Sequence, residues 1–356
     1  MPLYVNFDQN EDVIVNDANK VTEGYFTNGV GTVVGSTLTT SSLSATQKNY
    51  YYNVQHSSAD HFSVAYGHIG GSGSSNVTNV KGETEVIYKQ FANLLLDPTK
   101  NETGDSIEDG FQFVSGTLAN DIYVIVAERA RMKDRLNKKN WTLQLSGSTT
   151  IKDGITRHFT DDSATVAASA SPVGPRYNIV SGSDGTKVGT DIFGWYYPNM
   201  GIMVFNATSE VSGLSSLSSS LPGSPAYVNS ASDATVVHNG FAPELNNDAT
   251  ADNAFRMFIA MNRAAEQKFR NEEDQKTVSY FCRAKANHFN FSNNPTFTSG
   301  SANEYRQPTM EGNPSTFITT VGLYDNTETL VAVGRLSKPI HKNFDKEAIM
   351  KVNITY

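Results

Sequence analysis

The sequence predicts a mainly β fold with a few docked helices, an α+β arrangement of β-sandwich-like or mixed β lobes. Three observations carry this expectation. Aromatic and β-branched runs recur between polar, Gly/Ser-rich stretches. Only two segments show helical spacing. The closing residues alternate with a two-residue period, Ile349, Lys351, Asn353 and Thr355 on one face and Met350, Val352, Ile354 and Tyr356 on the other, as a strand with one buried face requires.

In chain order, strands are expected at 50–56, 61–67, 111–115, 121–127, 141–145, 192–196, 202–205, 278–283, 317–324, 330–336 and 348–356. The first helix is read from Ile87, Phe91, Leu94 and Leu95 at i, i+4, i+7 and i+8, ended by Pro98. The second has Asp252 as a cap, an apolar stripe of Phe255, Phe258, Ile259 and Phe269, and Arg263, Lys268 and Arg270 in its last turns, where the macrodipole favours cations. Stretches 36–44, 67–80 and 208–225 have little to bury, so they are expected to stay mobile or to be ordered by a neighbouring chain. The expected division is a β-rich N-terminal domain with one helix (1–205), a Ser/Asn-rich linker or loop region (206–250) and a C-terminal helix-plus-β domain (251–356).

Composition narrows function mainly by exclusion. Charged residues make up 18% of the 356 residues, below the roughly 25% of ordinary domains. The net charge of −8 repels phosphate backbones, so no nucleic-acid partner is expected. The single cysteine, Cys282, allows no internal disulfide and no cysteine-rich zinc module. No apolar run approaches the roughly 20 residues of a membrane span, and the first residues carry no secretory pattern, so no membrane is expected as a partner.

Candidate chemistry is sparse. His56, His61 and His68 with Asp60 have the residue types of a metal site if a hairpin turned them inward, but ordinary turn and edge roles explain them better. Gly70–Ser74 lacks the lysine of a phosphate loop. Cys282 sits in a strand-like context that favours a small buried hydrophobe over a nucleophile paired with His288. Asp105, Glu108, Asp109 and the pair Asp161-Asp162 are the carboxylates a glycoside hydrolase would use, and polar turns explain them equally well. The basic run Arg129, Arg131, Lys133, Arg135, Lys138 and Lys139 reads as a subunit contact or solvated face, and Glu272-Glu273-Asp274 as a solvated helix end. No catalytic, cofactor-binding or metal-binding residue is assigned, no cofactor is expected, and the chain is not expected to be an enzyme.

Several blocks are similar to known proteins: 44–52, 62–68, 88–96, 140–147, 270–273 and 290–297, then Phe317-Ile318-Thr319-Thr320-Val321-Gly322-Leu323-Tyr324-Asp325 and Leu330-Val331-Ala332-Val333-Gly334-Arg335-Leu336-Ser337-Lys338-Pro339-Ile340. They resemble virion structural proteins of contractile-tailed phages, especially myoviruses of cyanobacteria. The closing pattern of strand, turn, strand with a proline exit, charged loop and terminal strand looks like a baseplate or fibre-attachment ending. The resemblance implies a baseplate-wedge or tail-end subunit assembled in the host cytoplasm, holding other virion proteins in an oligomeric structure. A neck, collar or head-surface position and a receptor- or glycan-binding tip protein are its alternatives. It supplies no catalytic residues.

Overall fold

The computed structural model describes residues 4–40, 51–73, 82–98, 107, 110–113, 117–146, 156–207, 227–228, 237–238, 253–302 and 304–356. The strands are β1 (Val13–Gly24), β2 (Thr32–Val34), β3 (Thr39–Thr40), β4 (Tyr51–His56), β5 (Ala59–His68), β6 (Asp121–Ala127), β7 (Arg135–Leu136), β8 (Leu143–Ser146), β9 (Thr156–Asp161), β10 (Tyr177–Ser183), β11 (Thr186–Tyr197), β12 (Ile202–Asn206), β13 (Tyr227–Val228), β14 (Val237–His238), β15 (Glu266–Lys268), β16 (Arg270–Ala284), β17 (Thr298–Ser299), β18 (Glu304–Tyr305), β19 (Thr316–Tyr324), β20 (Leu330–Lys342) and β21 (Ala348–Thr355). The helices are α1 (Glu83–Leu95) and α2 (Asn253–Arg263). The mainly β expectation with two docked helices holds.

The chain forms two compact units, one of residues 21–273 and one of 1–20 with 274–356. This differs from the expected sequential division. The physical reason is α2, which belongs to the core of the larger unit through Phe255, Met257, Phe258 and Met261 rather than opening a C-terminal domain. The expected linker, 206–250, lies almost wholly outside the described residues.

The larger unit is built on a nine-stranded antiparallel sheet in the order β3-β4-β5-β6-β12-β11-β10-β9-β8. Its middle strands are apolar on both faces. In β6, Ile122, Val124 and Val126 point to one side, and Tyr123, Ile125 and Ala127 to the other. The sheet curls so that strands near both ends, β4 and β5 at one and β8 at the other, pack against α2. Short strands join its edges. Thr142, just before β8, exchanges backbone hydrogen bonds with Lys268 (2.8 and 3.0 Å), β15 pairs with β2, and β2 leads through one 3₁₀ turn into β3 on β4. Gln267, fully buried, completes the closure: its amide accepts from Gln144 N (3.1 Å) and donates to the carbonyls of Gln144 (2.7 Å) and Met261 (3.1 Å). A buried primary amide thus substitutes for a strand partner where pairing would leave backbone groups unmet.

On the opposite face α1 lies over β5, seating Tyr88, Phe91, Ala92 and Leu95 against Ile122, Val124, Trp195 and Val204. It crosses at Gly67, where a Cβ would stand 2.8 Å from the Tyr88 nitrogen. Phe111 and Phe113, expected in a strand, are buried non-strand residues that pack edge and face with Tyr88 and Trp195. The second helix ends at Arg263. Lys268 and Arg270, expected in its last turns, lie in β15 and β16, and Phe269 between them is a core ring stacked on Trp141.

In the smaller unit β16 pairs with β21 from Thr277↔Thr355 to Ala284↔Ala348, with β1 on β16's other side. The β19–β20 hairpin contributes Ile318, Val321, Leu336 and Ile340 to a small core with Ala284, Ala348 and Met350. Pro339 does not end β20. Ile318 faces Ile340 and Thr320 faces Arg335, so residues 336–339 bulge opposite Thr319, and a bulge is where a strand tolerates proline's missing donor.

Candidate functional site

The histidines of the β4–β5 hairpin do not form a metal centre. His61 is buried. Its Nδ1–H donates to the Ala59 carbonyl (2.8 Å) and its Nε2 accepts from the Thr27 N–H (3.1 Å), which fixes the neutral tautomer. Burial lowers its pKa from 6.5 to about 4. Asp60 accepts from Asn53 and Gln55, and its backbone carbonyl accepts from Arg131 Nε (2.6 Å). His68 turns Nδ1 toward the amides of Gly70 (2.9 Å) and Ser72 (3.1 Å), so the start of the Gly/Ser loop spends its donors on a side chain of its own chain. Among the described residues no group of three His, Cys, Asp or Glu converges as metal ligands.

The remaining sequence candidates resolve into structural parts. Asp161 accepts from Lys139 N (2.8 Å) and Asp162 from Asn178 N and Nδ2 (3.1 and 2.8 Å), so both buried carboxylates hold turns. Asp105, Glu108 and Asp109 lie outside the described residues, as does the cap Asp252. Cys282 is half-buried against the small core, and burial, aided by Asp12, pushes its thiol pKa up, away from a reactive thiolate. The basic run is engaged within its own unit. Lys133 bridges Glu273 (2.9 Å) and Glu23 (3.2 Å), and Arg135 Nε meets the buried Glu272 at 2.7 Å. Glu272 and Glu273 therefore belong to a strand, not to a solvated helix end: β7 pairs with β16 at Asn271↔Leu136 and Glu272↔Arg135.

Among the described residues, each unit holds apolar side chains that face water. On the smaller unit, Phe317, Val331, Val333 and Ile349 are each at least 60% exposed, with Leu330, Tyr324 and Tyr356 beside them in sequence and also exposed. Tyr4 packs edge-on against Tyr324 at 4.9 Å, and Gly322, opposite Val333, leaves room that Tyr324 and Leu330 overhang. On the larger unit a groove of about 910 Å³ runs between the flank of α1 and the sheet, walled by Val86, Ile87 and Leu94 and floored by Ser63, Ala65 and Val126. The sequence carries a signal for the first surface and for one wall residue of the groove. Val331 and Val333 stand in a short apolar run, and Val86 lies one position off the helix stripe that faces the sheet.

No family model, curated protein or solved structure matches the chain. Among the described residues no helix is long and apolar enough to cross a membrane.

Proposed function

We propose that the chain is a structural subunit of a contractile-tailed phage virion, a baseplate-wedge or tail-end part whose work is to hold neighbouring subunits. One observation carries this reading: the smaller unit gathers only a handful of side chains into its core while β19, β20 and β21 hold large apolar groups in water. Exposed large apolar side chains, where they cluster, mark an interaction site. The exposed residues lie on extended strands, where a neighbour adds its own apolar side chains to the uncovered face. The resemblance read in the 317–340 blocks is consistent with this proposal, because those blocks build this hairpin. Of the carboxylates a hydrolase would have used, Asp161 and Asp162 serve as turn anchors.

Immunogold labelling of intact particles with antibody to this chain tests the reading. Label at the tail end is the expected result. Label confined to the capsid shell would overturn the baseplate assignment, and unlabelled particles the virion role itself.

A further inference from the structure

The groove beside α1 raises a question separate from the hairpin: what fits a cleft with a helix for a wall and a sheet for a floor. Helix α1 is apolar on two sides. Tyr88, Phe91, Ala92 and Leu95 meet the sheet, whereas Val86, Gln90 and Leu94 form a second row at i, i+4 and i+8 that borders the groove, with Val86 66% exposed. Rows of that spacing are the ridges against which another helix packs. A surface helix normally carries one apolar stripe; here Val86 and Leu94, on either side of the polar Gln90, add two apolar groups that face the groove.

The floor specifies the neighbour's backbone. β4 is hydrogen-bonded to β3 and β5, β5 to β4 and β6, and β12 to β6 and β11. Along β5, β6 and β12 both edges are paired, so an extended segment lying over their face would find no ladder to join, and its buried N–H and C=O groups would go unmet. A helix satisfies its own. The small side chains of Ser63 and Ala65 give the floor the depth to receive side chains from such a helix. From Glu83 to Leu94 the wall is about 16 Å long at roughly 1.5 Å per residue, three turns.

The ends differ in charge. Glu83 borders the groove at the first turn of α1, near where Thr84 Oγ1 donates to the Ser72 carbonyl. Arg129 borders it near the opposite end of β5, next to Glu128, whose N–H donates to the His61 carbonyl. The Arg129 Nη1 donates to the backbone carbonyls of Lys133 (2.8 Å) and Asp134 (3.4 Å), and no carboxylate pairs with it among the described residues.

We propose that this groove receives an amphipathic α-helix of another protein, about three turns long, apolar toward Val86, Leu94 and Ala65 and acidic at the end that meets Arg129. The inference deepens the assembly reading by giving the form of a partner, and it rests on that reading only for where the helix comes from. The test uses the purified full-length chain and two synthetic amphipathic helical peptides with one leucine stripe, one ending in two glutamates and the other in two lysines, with palmitate as a third probe. Fluorescence anisotropy at low salt should show the acidic-ended peptide binding about threefold more tightly, the size of a rim charge contact, and Arg129→Gln should erase that preference. Val86→Lys, at an exposed position that folding tolerates, should weaken both peptides about tenfold or more. The proposal is overturned if neither peptide binds, if Val86→Lys leaves binding unchanged, or if palmitate occupies the groove in place of both peptides. Peptide binding by a chain that particle labelling excludes from virions would keep the groove and remove the virion reading.

Discussion

The two units of this chain bury their side chains to very different degrees. In residues 21–273 a curled sheet closes around α2, and rings such as Trp141, Phe269, Tyr25 and Phe62 are wholly enclosed. In 1–20 with 274–356, sheet and hairpin share a core so small that Ala284, Ala348 and Met350 are its buried centre. The first unit has the content of a self-sufficient domain. The second meets the minimum of three strands with one covered face through β1, β16 and β21, but over few buried side chains, and we propose that a neighbour covers the rest. On the proposed reading, the difference separates residues that keep the chain folded from residues that join it to other chains.

The largest expected effect lies in the larger unit. Phe269 stacks on Trp141 at 5.8 Å and 9° and meets Phe62 at 4.9 Å. Phe269→Ala should cost about 3–5 kcal/mol through lost burial and the cavity left behind, read as a lower denaturant midpoint. A wild-type midpoint would show that this core does not hold the unit.

His61 should give the next effect, and it has a sign. Its folded pKa of about 4 lies below the ordinary 6.5, so between these values the unfolded chain binds the extra proton. The stabilisation is full above about pH 6.5, is lost as pH falls toward 4, and changes no further below that. At about 1.4 kcal/mol per pKa unit this is on the order of 3 kcal/mol. His61→Gln should flatten that segment of the stability curve while the carboxylate titrations remain. An unchanged slope would remove His61 as its source.

In the smaller unit the most consequential buried group is polar. The Lys342 ammonium is fully enclosed and donates to Ala286 O (2.8 Å), Asn290 Oδ1 (2.8 Å) and Asn343 O (2.9 Å). Burial lowers its pKa, and the three acceptors hold the 286–290 turn to the end of β20. Lys342→Met would leave those oxygens unmet at about 1–3 kcal/mol, and proteolysis should then begin near 286–290. Equal protease resistance would contradict that role. The smallest stability change is expected at Phe317→Ala, within about 0.5 kcal/mol for an exposed position, although the same change should impair joining to neighbours. A large loss of stability in the free chain would blur the contrast between the two units.

Much of this fold was legible in the sequence where side-chain pattern and environment agree. β6 reads as a strand because Ile122 to Val126 is apolar on both faces, and β21 because its alternation matches a sheet with one face inward. Both helices were found from apolar rows that only partly face the core: Phe91 and Leu95 do, Leu94 borders the groove, and Phe269 lies beyond its helix. The misses share a cause, namely that tertiary contacts overrode local composition. Arg270–Lys276 is highly charged and still extends as β16 because Glu272 has Arg135 and Glu273 has Lys133. The β10–β11 hairpin is different, because its turn is local: Asp184-Gly185, both with positive φ, is a two-residue turn sequence. No spacing rule would have shown that Gln267 closes the sheet by binding Gln144, 123 residues away, or that His61 is held by the backbone of Thr27. The apolar groove was illegible for another reason. Its walls come from α1, β5, β6 and the β11–β12 turn, so no single segment displays it.

Hydrogen exchange of β19, β20 and β21, compared between the free chain and assembled particles, addresses the central claim most directly. If neighbours cover this hairpin and the adjoining strand, their amides should exchange readily in the free protein and at least about tenfold more slowly in the particle, as covered strands do, while β6 and β12 stay protected in both. Equal exchange of β19–β21 in the two states would mean that nothing covers this surface, and the assembly role assigned to it would fall.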